Sequence, residues 1–123
     1  MTTAHASRFG HLEVMAVDVE ACVRFYADGL GFAIDQRQGV DVVWLRAGPV
    51  ALVVRRGTEG PRRETYLGSG AGIVVYVDDL RAALTRLARA GFEPVGHDGS
   101  PVCPLVRDPA GNWIQIVDLK DQT

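Results

Sequence analysis

Five side chains in this sequence are the ones best suited to bind a metal or attack a substrate: His5, His11, His97, Cys22 and Cys103. Their spacing matches no zinc knuckle, and two cysteines make no disulfide framework. Cys22 falls on the apolar side of an expected helix, which makes it a core thiol. Cys103 precedes Pro104 in an expected strand, with no basic partner beside it to favour a thiolate. No Gly-x-Ser-x-Gly elbow supplies an activated serine. The glycine-rich GSGAG at 68–72 lies ahead of a strand rather than opening a helix, so it fails the dinucleotide fingerprint and reads as linker. His97 lies near a strand end and reads as solvated, and His5 belongs to the N-terminal stretch. That leaves His11, at the start of a strand and two residues from Glu13. No catalytic residue is assigned.

The bulk composition sets the frame for these few groups. The chain has 123 residues, 47% hydrophobic and 23% charged, ordinary for a globular protein. A net charge of −2 gives no basic stripe for nucleic acid or an anionic membrane. No stretch approaches the roughly 18 apolar residues of a membrane span. The opening MTTAHASRFG lacks the apolar run and cleavage pattern of a secretory signal. The expectation is a cytoplasmic protein with reduced thiols, binding neither nucleic acid nor membrane.

The elements that must position these groups come from an internal repeat. Sliding the sequence against itself by 60 residues gives nine identities over the 36 positions from 14 to 49, among them Val14/Val74, Asp18/Asp78, Gly31/Gly91, Phe32/Phe92 and Pro49/Pro109. Chance would give about 3 at average residue usage. Each copy reads as a strand, a helix and three short strands. The first strands are Leu12–Val17 and Ile73–Val77, each followed by an aspartate suited to capping a helix, Asp18 or Asp78. Both helices stop at a glycine, Gly31 or Gly91, able to take the left-handed C′ conformation. The later strands are expected at Phe32–Arg37, Val42–Arg46 and Val50–Arg55, then at Phe92–Val95, Val102–Arg107 and Trp113–Asp118. The fold class is therefore α+β, two tandem βαβββ modules in a single domain over residues 1–123. Module one spans 9–56, the linker 57–71 and module two 72–119. One module of about 50 residues could hardly bury a core alone. Pairing them gives a curled, mixed eight-stranded sheet with helices outside and a concave cleft inside. The linker is long enough for the modules to pair within one chain or to swap between two.

Strand alternation assigns the faces. Leu12, Val14 and Ala16 pack under the helix, turning His11, Glu13, Met15 and Val17 to the cleft. Burying Val43 and Leu45 turns Trp44 to the cleft. In module two, Val74 and Tyr76 face it from the first strand, Trp113, Gln115 and Val117 from the last. Flat aromatic walls with a few polar groups suit a planar or amphipathic ligand. The same aromatics could instead fill the concave core or a dimer interface.

Three stretches resemble a known family. AVDVEACVRFYADGLGF (Ala16–Phe32), YVDDLRAALTRLARAGF (Tyr76–Phe92) and VRDPAGNWIQIVD (Val106–Asp118) are similar to the signatures of the vicinal oxygen chelate superfamily, the group of glyoxalases, bleomycin-resistance proteins and extradiol dioxygenases. The resemblance covers all but the linker and termini. It implies four metal-ligand positions, commonly His, Glu, His and Glu, one on each of four strands. Here they fall on His11, on Ala51 or Val53, on Ala71 or Gly72, and on Gln115. Only His11 is a good ligand, and a catalytic metal normally has at least three from protein. An amide oxygen at Gln115 is neither a strong ligand nor a general base. The expectation is no metal and no cofactor, with His11 as a hydrogen-bonding cleft histidine.

The resemblance then favours the superfamily's drug-binding branch, whose members sequester antibiotics as homodimers with two clefts between subunits. The expected function is a metal-independent homodimer sequestering an aromatic or amphipathic compound, as in antibiotic resistance or self-protection. The expected ligand-binding residues are His11, Glu13, Met15, Trp44, Tyr76, Trp113 and Gln115. The alternative is a glyoxalase-like lyase, isomerase or dioxygenase with a non-standard or absent metal site. A third reading is an accessory domain whose concave face only mediates assembly.

Overall fold

Alternating apolar residues and helical spacing build the same five elements twice. Module one contains β1 (Leu12–Ala16), α1 (Val19–Arg24), β2 (Ala33–Gln38), β3 (Val42–Ala47) and β4 (Val50–Arg56). Module two contains β5 (Ile73–Val77), α2 (Leu80–Arg89), β6 (Gly96–His97), β7 (Pro104–Arg107) and β8 (Trp113–Asp118). The computed structural model describes residues 7–58, 60, 63–97 and 103–121. His5 and Val102 lie outside the described residues.

The strands form two four-stranded mixed sheets, ordered β1-β4-β3-β2 and β5-β8-β7-β6. The tandem α+β architecture matches the expectation, but among the described residues no ladder joins the sheets into one of eight strands. In each sheet the first strand runs parallel to the last and, among the described residues, keeps one edge free of ladder partners. The modules are joined through their helices instead, with α2 packed on the end of the first helix. One apolar core serves both. Val14, Val43, Leu45 and Val54 come from one sheet, Val106, Ile114 and Ile116 from the other, with Phe25, Tyr26 and Leu87 between. Phe25 meets Phe92 edge-to-face at 4.9 Å.

The repeat is not a uniform 60-residue shift. The helix caps are Asp18, accepting from Ala21 N at 3.0 Å, and Asp79, accepting from Ala82 N at 3.2 Å. Asp78 was the expected second cap, and its neighbour Asp79 takes that place. Both terminal glycines, Gly31 (φ 80°) and Gly91 (φ 95°), adopt the left-handed conformation as expected. The first helix thus has one residue more between cap and stop than the second. A helix absorbs one extra residue by widening a turn into a π-helix. Phe25–Gly29 is such a turn, and Leu30 N donates five residues back to Phe25 O at 3.1 Å.

That turn brings Tyr26 to module two, where its buried hydroxyl donates to Asp108 Oδ2 at 2.6 Å. Burial and the Asp108 charge hold the phenol well above its usual pKa, so it remains a donor. Gly29 lies close against α2, where a Cβ would stand 2.9 Å from Leu87 Cδ2. The strand expected at Phe92–Val95 is displaced to Gly96–His97. Phe92 is drawn into the aromatic contact with Phe25, and Pro94 has no N–H for a ladder.

Candidate functional site

The register along β1, β4 and β3 places Glu13, Val53 and Trp44 side by side on the face of the first sheet turned away from the helix. His11 precedes β1 and lies over this row. Its Nε2 is 3.0 Å from Glu13 Oε2, and its ring centroid is 4.8 Å from that of Trp44. A carboxylate only accepts, so the imidazole donates. Arg55 Nε stands 3.6 Å from the other Glu13 oxygen. The Trp44 indole N–H points to Gln38 Oε1 at 3.4 Å. Met15 follows on the same face, 48% exposed, opposite Arg55. His11, Glu13 and Trp44 are thus brought into one constellation.

The His11 hydrogen bond, aided by the Arg55 charge, holds the Glu13 carboxyl below its usual 4.5. A lowered folded-state pKa stabilises the fold above the unfolded value, and that stabilisation fades as pH falls through the folded one. The Glu13 side-chain carbon, followed by NMR, should titrate below 4.5, and His11→Ala should move its midpoint upward. A wild-type midpoint at or above 4.5 would contradict the geometry.

Module two presents the corresponding face through Val74, Gln115 and Leu105 in one row, with Tyr76 beside Val117. Val74 and Tyr76 are 47% and 55% exposed. Trp113 behaves differently and is only 8% exposed. Its indole N–H donates to Arg63 O at 3.1 Å, the Arg107 guanidinium lies 4.5 Å over the ring, and Tyr66 meets it edge-on at 6.5 Å. The linker, read from sequence as a spacer, therefore covers Trp113. Tyr66 was not singled out. The one signal for it was an aromatic residue inside an otherwise polar, glycine-rich stretch.

Core-facing Leu12, Val14 and Ala16 match Ile73, Val75 and Val77, so His11 corresponds to Gly72. Val53 lies beside Glu13 as Gln115 lies beside Val74. Of the open choices, the four positions that the resemblance implies for a metal therefore fall, by this register, on His11, Val53, Gly72 and Gln115. Valine and glycine offer no donor, and His11 already serves Glu13. No group of three or more His, Cys, Asp or Glu that could hold a metal exists among the described residues. The residues present do not fit the four-ligand metal of the fold. His97 is exposed in β6. Burial pushes the Cys22 thiol up to about 12, and Cys103 is half-buried.

These features define a tandem βαβββ protein with a histidine, a glutamate and a tryptophan gathered on the sheet face turned away from the helix. Residues 8–116 match the family model described as the Glyoxalase/Bleomycin resistance protein/Dioxygenase superfamily. The chain belongs to that superfamily. No curated protein matches its sequence. Among solved structures it is similar to the lactoylglutathione lyase of Agrobacterium tumefaciens, at 19% identity and TM-score 0.66, covering 94% of this chain and 96% of that one. It is similar to the fosfomycin resistance protein FosX of Mesorhizobium loti, at 12% identity and TM-score 0.71, covering 91% of each. It also resembles the bleomycin-binding protein of bleomycin-producing Streptomyces verticillus, complexed with copper(II)-bleomycin, at 29% identity and TM-score 0.58, covering 92% and 98%. No helix among the described residues is long and apolar enough to cross a membrane.

Proposed function

We propose that this protein is a metal-independent binder that sequesters an aromatic or amphipathic small molecule, as an antibiotic-resistance protein does. The observation carrying this reading is the His11–Glu13–Trp44 constellation. Where the superfamily's enzymes hold a metal, this chain spends its imidazole on Glu13 and on an indole face, beside Val53. Trp44 supplies a flat wall, Glu13 and His11 supply polarity, and Met15 adapts to shape. Tyr76, Gln115 and Trp113 lie on the outer face of the second sheet, and a homodimer would bring that face of one protomer to the His11–Glu13–Trp44 face of its partner. The likeness to a bleomycin-binding protein supports the same reading.

The working unit is a homodimer. Among the described residues β1 and β5 each keep an unpaired edge, and Met15, Val17, Val74 and Tyr76 leave apolar surface exposed in a single chain. Two unpaired cysteines suit a reducing, cytoplasmic setting. The alternative, a lyase, isomerase or dioxygenase, would need His11 or Glu13 as its base. Glu13, held below the usual carboxylate range, is a poor one near neutral pH.

Titration of the tag-free protein with copper(II)-bleomycin and related aromatic antibiotics tests this. At least one should quench tryptophan fluorescence to a stoichiometric end point, and Trp44→Ala should weaken that binding roughly ten-fold or more, the effect of losing an aromatic anchor. Unchanged binding in Trp44→Ala would remove Trp44 from the site. Stoichiometric transition metal in the purified protein, lost on His11→Ala, would establish the enzyme reading instead.

A further inference from the structure

We propose that the inter-module segment Arg63–Ser69 is a built part of the binding site, with Tyr66 supplying to module two the side chain that Gly72 lacks. It would hold an uncharged planar aromatic ring in the groove beneath it. This rests on reading the sheet faces turned away from the helices as a small-molecule site.

The geometry is specific. A Cβ on Gly72 would stand 2.7 Å from Tyr66 Cε1 and 3.0 Å from its hydroxyl oxygen. The phenol therefore occupies the space a side chain at residue 72 would need. His11 at the corresponding place in module one lies on Trp44, and Tyr66 lies edge-on to Trp113. Each module thus presents an indole with a second ring set beside it.

The segment is pinned to the sheet rather than looped over it. Arg63 O accepts from Arg107 Nη2 at 2.6 Å and from Trp113 Nε1 at 3.1 Å. Tyr66 O accepts from Ser69 Oγ at 2.7 Å, and Gly68 N donates to Thr65 Oγ1 at 3.0 Å. Arg107 also donates to Gly111 O at 3.1 Å, which fixes the guanidinium on the indole.

A groove of about 450 Å³ remains between this segment and the sheet, lined by Glu64, Tyr66, Leu67, His97, Leu105 and Trp113 among others. That volume lies in the range of small-molecule sites. Leu67 is 85% exposed at its rim, an apolar side chain with nothing packed over it. The Tyr66 hydroxyl has no hydrogen-bond partner among the described residues. A ring inserted here would gain an apolar wall from Leu105 and Leu67, an aromatic edge from Trp113, and one hydrogen bond from Tyr66.

The test uses 2-naphthol, a neutral bicyclic ring with one hydroxyl, followed by 1H–15N NMR on the full chain. Saturable shifts are expected at the Trp113 indole N–H and at the Tyr66 and Leu67 amides. Tyr66→Ala should weaken the affinity about ten-fold, and Tyr66→Phe about three-fold through the lost hydroxyl. Gly72→Ala should move the Tyr66 and Trp113 resonances before any ligand is added. Shifts confined to Trp44 and His11 would overturn the inference while leaving the function reading standing. Absence of shifts anywhere, or binding at Trp113 unaltered by Tyr66→Ala, would also overturn it. The antibiotic titration with Trp44→Ala judges the function reading separately.

Discussion

Asp108→Ala should lower the folding stability of this protein by about 3–5 kcal/mol, the cost of orphaning several buried donors to one carboxylate. Asp108 is 3% exposed. Its carboxylate accepts the Tyr26 hydroxyl, the Ala110 and Asn112 amides and the Asn112 side chain, at 2.6 to 3.3 Å. It closes the β7–β8 turn and at the same time fastens the first helix to module two. Alanine removes both functions and leaves the buried phenol without a partner. Tyr26→Phe removes one donor and keeps the turn, so its expected cost is smaller, about 1–2 kcal/mol. Urea unfolding measures both. A loss below about 1 kcal/mol for Asp108→Ala would mean that the apolar core alone holds the modules together.

Val74→Asp should dissociate the homodimer proposed above, weakening it at least about 100-fold, because an unpaired carboxylate is costly to bury. Val74 is half-exposed in a single chain, beside Gln115 and on the strand with the free edge. The substitution should therefore leave the monomer folded. Leu119→Asp, at another exposed apolar position following β8, serves as the control and should leave the mass unchanged. Sedimentation at micromolar concentration reads both. A monomeric wild-type protein, or a Val74→Asp variant that stays dimeric, would show that this face is not the subunit contact.

Much of module one was legible because its signals are local. The alternation of Leu12, Val14 and Ala16 against His11, Glu13 and Met15 is set by the two-residue period of a strand, and Asp18 caps its helix as its type suggests. Module two was read less accurately where contacts distant in sequence intervene. An ungapped repeat assigned the cap to Asp78, whereas Asp79 takes it because the first helix carries an extra residue. Trp113 was rightly placed opposite the core-facing Ile114 and Ile116, but alternation could not say what covers it. A linker has no periodicity, so nothing local reveals that Tyr66 lies against Gly72.

By itself, the sequence determined the duplicated βαβββ plan, because strand period and capping chemistry are properties of single residues and near neighbours. The tertiary structure alone decided that His11, Glu13 and Trp44 meet, that Tyr26 reaches Asp108, and that the linker lies on Trp113. Those pairings depend on register, on the π-turn and on chain closure over tens of residues. They are fixed only when both modules pack into one core.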